Sequence, residues 1–111
     1  MNDLNELRDE IYKDAVAHGL WDEAEELRAW NYRGKRKDAL DHVRREDCAM
    51  RIKDEVEELY DGAYDKNHYV EELADVIITA LSAAGYLGID IDKAVRAKME
   101  INRGREWRHG K

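Results

Sequence analysis

The segment from Val70 to Leu87 is apolar nearly all the way round a helix, and its polar side chains recur at a fixed spacing. Glu72, Asp75, Thr79 and Ser82 are separated by three, four and three residues. That spacing draws one polar stripe along an otherwise apolar helix, which therefore needs neighbours on most of its sides. Two members of the stripe are carboxylates. Set beside a core without compensation, such groups cost roughly several kcal/mol each. A second pair, Glu55 and Glu58, has the same three-residue offset, which makes its members neighbours on one helix face. A bound cation is the simplest agent that would neutralise all four.

The rest of the chain supports a helical reading. It has 111 residues and no proline, so nothing forbids helix over long stretches, and the length suits one domain. Leu4, Leu7, Ile11 and Ala15 form a helical stripe that opens near Asn2 or Asp3 and closes at Gly19. Trp21 to Tyr32 offers a weaker helical pattern, broken at Arg33-Gly-Lys-Arg-Lys37. A long helix is expected from about Lys37 to Tyr60, with Ile52, Val56 and Leu59 along its apolar line. Asn67 is the expected N-cap of the next helix, Gly85 and Gly88 its end, and Asp90 the cap of a last helix through about Arg103. The expected fold is an all-α bundle of four to five helices. The two acidic helices, joined by a short turn, would lie antiparallel with all four carboxylates between them. The apolar girth of the 70–87 helix exceeds what one small chain covers, so a homodimer or a dimer of dimers is expected.

Charge narrows the function. A net charge of −7 disfavours a broad nucleic-acid or anionic-membrane surface, and no apolar run approaches the length that spans a bilayer. Cys48 is the single cysteine and no secretory segment is evident, so a cytoplasmic protein is expected. Four carboxylates without Cys or His at ligand spacing make a hard, all-oxygen site. Such a site suits Mg²⁺, with Mn²⁺ as a substitute, and suits zinc or copper poorly. None of these four acids is followed three residues later by histidine, so they do not complete the Glu-x-x-His pairs of a di-iron bundle. Magnesium held by few protein ligands usually completes its shell with water and substrate phosphates, which points to a nucleotide enzyme.

The run Glu55-x-x-Glu58, thirteen intervening residues, then Glu72-x-x-Asp75 resembles the signature of the MazG-like all-α nucleoside triphosphate pyrophosphohydrolases. Glu71-Glu-Leu-Ala-Asp-Val76 is similar to that family's second motif. The opening from Leu4 to Trp21 and the ending Lys98-Met-Glu-Ile-Asn102-Arg-Gly-Arg105 resemble those of short, phage-like members. Residues 22–38 match least and read as an insertion or long loop, and 104–111 as a flexible tail. The resemblance implies hydrolysis of a nucleoside triphosphate, with a slight tilt to purine deoxynucleotides, to monophosphate and pyrophosphate, in sanitation or adjustment of the nucleotide pool. It makes Glu55, Glu58, Glu72 and Asp75 the Mg²⁺ ligands and catalytic groups. It places Asp54 and Glu71 just outside them, and Lys98, Asn102 and Arg105 against the phosphates.

Other residues carry two readings. Trp21 and Trp30 can stack on a base or fill the core or a dimer seam. The tyrosines Tyr60, Tyr64, Tyr69 and Tyr86 read as packing residues, and Cys48 as inert. A different class altogether is a non-catalytic acidic helical module that binds a basic protein. A third is a structural bundle whose acids are paired with basic groups such as Arg51 or Lys53.

Overall fold

The computed structural model describes residues 3–22 and 37–104. Its described residues form four helices and no strand: α1 (Leu4–Ala17), α2 (Lys37–Asp61), α3 (Lys66–Leu87) and α4 (Ile91–Arg103). The all-α class is as expected. Of the weak pattern from Trp21 to Tyr32, residues 23–32 with Trp30 lie outside the described residues, as do the basic Arg33–Lys37 run up to residue 36 and the tail from Arg105 onward.

Helix α3 is the centre of the assembly, with α2 along one side and α1 along another. Contacts between α2 and α3 mount in order from the turn that joins them. Gly62 lies against His68, Glu58 and Glu72 approach each other, and Arg44 lies over the Tyr86 ring. That progression is an antiparallel hairpin, as the short connection requires. Helix α1 also runs antiparallel to α3: Trp21, just past α1, bonds to Ser82, Tyr12 packs on Gly85, and Asn5 reaches Asp90 just beyond the C-terminal end of α3. A Cβ on Gly85 would stand 2.6 Å from Tyr12 Cβ, so the missing side chain is what allows the two helices this approach.

Caps set the helix limits. Asp3 accepts from Glu6 N–H and starts α1. For α3 the cap is Asp65, not Asn67. Its Oδ1 accepts from the backbone N–H of both Asn67 and His68, at 3.1 and 3.3 Å, and so opens the helix earlier than Asn67 would. Gly85 does not end α3; the helix passes through it to Leu87 and stops at Gly88, whose left-handed φ of 67° suits glycine. Asp90 caps α4 as its position implies. The chain bends by 115° between α3 and α4. Asn5 locks that corner: its Oδ1 accepts from Ile91 and Asp92 N–H while its Nδ2 donates to Asp90.

The core is small. Trp21, Cys48 and Ala83 are buried together, with Tyr12, Ala15, Ile52, Tyr86 and Leu87 packed round them. Burial pushes the Cys48 thiol up to about 11, which keeps it protonated and unreactive at neutral pH. From its start to its middle, α3 leaves Val70, Leu73, Ile77 and Ile78 exposed. Tyr60 and Tyr64 are 81 % and 92 % exposed and so are not packing residues among the described residues, unlike Tyr86. They flank the α2–α3 turn, which ends both helices before either ring can be covered. No single helix among the described residues is long and apolar enough to cross a membrane.

Candidate metal centre

The antiparallel register of α2 and α3 decides which acids meet. Glu55 and Glu58 stand on adjacent turns of α2, and Glu72 faces them from α3. One carboxylate oxygen from each lies within 4.8 Å of the others. Asp75 is one turn further along α3 and exposed; its charge is felt at Glu55 without joining the tight group. Glu55 is the group that registers the crowding. Its carboxyl is held above the usual value by partial burial first, then by the charges of Glu58, Asp75 and Glu72.

Glu72 supplies the most pointed observation. Its side chain is 13 % exposed, and Oε1 lies 3.4 Å from Nε2 of His68 one turn earlier. Its other oxygen, Oε2, is buried with no hydrogen-bond partner among the described residues. A buried acceptor is ordinarily paired. The donor set around it is carboxylate only, which is hard oxygen chemistry. These residues therefore fit a divalent cation, which would supply both the missing partner and the missing positive charge.

A cleft opens on either side of the carboxylates. The one nearer the turn, of about 310 Å³, is lined by Glu58, Asp61, Gly62, Tyr64, His68 and Glu72. The other, of about 230 Å³, is walled by Leu20, Trp21, Arg51, Asp54, Glu55, Thr79 and Ser82. Along the expected polar stripe of α3, Glu72 joins the acidic centre, Asp75 stands one turn beyond it, and Thr79 and Ser82 line the adjoining cleft.

Trp21 is only 3 % exposed, and both of its faces are taken. Tyr86 stacks on it at 4.1 Å between centroids and 3° between planes, and the Arg51 guanidinium lies 4.8 Å from its ring centre. Arg44 covers the far side of Tyr86 at 5.5 Å. The result is four layers, Arg44, Tyr86, Trp21 and Arg51, held by cation–π and ring stacking. Trp21 Nε1 donates to Ser82 Oγ at 3.1 Å. With no free face, Trp21 acts as a core residue rather than a base platform, the second of its two readings.

Arg51 was read from the sequence only as a partner for an acid. It is that, donating through Nε to Asp47 Oδ2 at 2.9 Å, but it also walls the cleft next to Glu55. The sequence signal was its place one turn before Glu55 on the same helix. Lys98 and Asn102 lie on α4, which packs against α1. The twelve residues from Asp75 to Leu87 put the start of α4 about 18 Å along α3 from the carboxylates, at 1.5 Å per residue. Within one chain, α4 thus packs on α1 and starts well away from the carboxylates. Arg105 lies outside the described residues.

Over 45 residues, or 40 % of its length, the chain is 51 % identical to a dATP/dGTP diphosphohydrolase of cyanophage S-2L. The matched stretch is 43 % of that phage protein. No family model and no solved structure matches the chain.

Proposed function

We propose that the protein is a Mg²⁺-dependent nucleoside triphosphate pyrophosphohydrolase of the MazG-like kind, acting on purine deoxynucleoside triphosphates in the nucleotide pool. The observation that carries this reading is the buried Glu72 oxygen, without a partner among the described residues, within a set of three carboxylates. The similarity to a phage protein named for dATP and dGTP supports the substrate class.

Glu55, Glu58, Glu72 and Asp75 would hold the metal, with Mn²⁺ as a substitute. When bound, it supplies charge stabilisation on phosphate oxygens and a water of lowered pKa. In the overall reaction a water oxygen bonds to the α-phosphorus, the bond from that phosphorus to the α–β bridging oxygen breaks, and pyrophosphate leaves. The water's proton passes to a carboxylate of the set. The chain's own residues supply placement: the α2–α3 pairing fixes the spacing of the acids, and the two clefts give the polyphosphate and the nucleoside separate directions to lie in.

The working form is a homo-oligomer. Val70, Leu73 and Ile77 make an exposed apolar strip on α3 beside the acids, and a second copy seated there would bury it. Lys98, Asn102 and Arg105 would then meet the phosphates from the partner's α4 and tail, since within one chain α4 starts far from the acids.

The direct test is pyrophosphate release from a panel of ribo- and deoxynucleoside triphosphates with Mg²⁺, beside the Glu72→Gln variant. Metal-dependent formation of monophosphate and pyrophosphate, absent in the variant, is the expected result. No turnover together with no Mg²⁺ binding would instead favour an acidic module that binds a basic partner.

A further inference from the structure

The cleft walled by Leu20, Trp21 and Thr79 adjoins the acidic centre through Glu55 and carries two charged groups of opposite sign, Arg51 and Asp54. Its volume of about 230 Å³ is the space of about eight waters at ~30 Å³ each, enough for a bicyclic base. A polyphosphate there would face the Asp54 and Glu55 carboxylates. A neutral, flat ring with both donors and acceptors meets no such repulsion, and Leu20 offers it an apolar wall.

Arg51 is already fixed on two sides. Trp21 holds its face and Asp47 accepts from its Nε–H, which leaves the Nη donors of the fork for a ligand. Asp54 is exposed and has no hydrogen bond or ion pair among the described residues. The two residues are three apart on α2, so their side chains are surface neighbours, with Cβ atoms about 5–6 Å apart. They present a donor group beside an acceptor group along one edge of the cleft.

We propose that Arg51 and Asp54 read a guanine base, Arg51 donating to its O6 and Asp54 accepting from N1–H and the 2-amino group. Guanine sets an acceptor next to two donors on one edge, the complement of this pair. Adenine reverses the order, turning its 6-amino donor toward Arg51 and its N1 acceptor toward Asp54. Hypoxanthine keeps O6 and N1–H and lacks only the 2-amino group. This assignment rests on the nucleotide-hydrolase reading, which it narrows from purines to guanine.

Equilibrium binding of the monophosphate products separates the two claims, because it needs no turnover. Calorimetric titration of the full chain with dGMP, dIMP and dAMP in Mg²⁺ should rank dGMP first, by about 5- to 150-fold, the range of a good bidentate base contact. In Asp54→Asn the dGMP:dIMP ratio should collapse toward one, because dIMP can still donate N1–H to the amide oxygen and so loses less than dGMP, whose 2-amino group loses its acceptor. Asp54 is exposed, so the variant's fold, checked by circular dichroism, should be unaltered. An unchanged ratio in the variant, equal binding of dGMP and dIMP by the native chain, or no binding of dGMP would each overturn the assignment. Intact, Asp54-dependent dGMP selectivity in a protein that hydrolyses no triphosphate would uphold the base reader and strike the proposed activity instead.

Discussion

Replacing Glu72 by Gln removes one charge from the acidic centre and leaves its shape. In the metal-free protein, carboxylates within 4.8 Å repel by about 3.5 kcal/mol per pair at an effective dielectric of 20 and about 0.9 kcal/mol in water. Glu58 is exposed and Glu72 is 13 % exposed, so solvent screening draws the pairs toward the lower figure. Glu72 takes part in two of them, a relief of about 2 kcal/mol on that scale. Against this stands the loss of the His68 contact at 3.4 Å, worth about 0.2–1 kcal/mol for a partly exposed pair. The net expectation is a gain of about 1–2 kcal/mol, or roughly 5–10 °C in melting temperature for a chain of this size. Thermal melts in EDTA and in Mg²⁺ read both halves of the argument. Native protein should rise on adding Mg²⁺, and the variant should start higher and rise much less. A variant that melts lower than native protein in EDTA would show the Glu72 charge to be structurally paired, and the metal centre would be the wrong reading.

Two further outcomes follow from the same geometry. Glu55 is raised above its ordinary value of 4.5, so the metal-free native state keeps a proton that the unfolded chain has released; stability in EDTA should therefore fall as pH rises from about 4.5 through the raised value and then level off, with Glu55→Gln flattening the slope. Gly85→Ala places a Cβ 2.6 Å from Tyr12 Cβ and 2.8 Å from its Cγ, atoms too close to the α1 backbone to swing aside, and should lose about 1–3 kcal/mol in urea unfolding.

The acidic pairs were legible because a three-residue offset on a helix is a local fact, true whatever the helix packs on. The same holds for the Asp3 and Asp90 caps and for the Gly88 stop, each set by the few residues around it. The start of α3 was misjudged because Asp65 and Asn67 are both good capping residues. The aspartate prevailed by reaching two N–H groups at once. Gly85 looked like a stop and is instead the place where α1 comes close, a role that only the presence of Tyr12 confers.

The sequence by itself determined the helices, the polar stripe of α3 and the hard-oxygen character of any metal it holds, because those follow from residue type and spacing at 1.5 Å and 100° per residue. Only the tertiary structure decided which acids converge. The antiparallel register of α2 and α3 gathers Glu55, Glu58 and Glu72 and leaves Asp75 one turn outside. Only it buried Trp21 between Tyr86 and Arg51 and so turned a base-stacking candidate into a core residue that orients an arginine. Only it set α4 against α1, some 18 Å by helix rise from the acids it was expected to serve. The physical reason is the same in each case: which turn of one helix faces which turn of another depends on how side chains far apart in sequence fit together, and no spacing along a single helix records that.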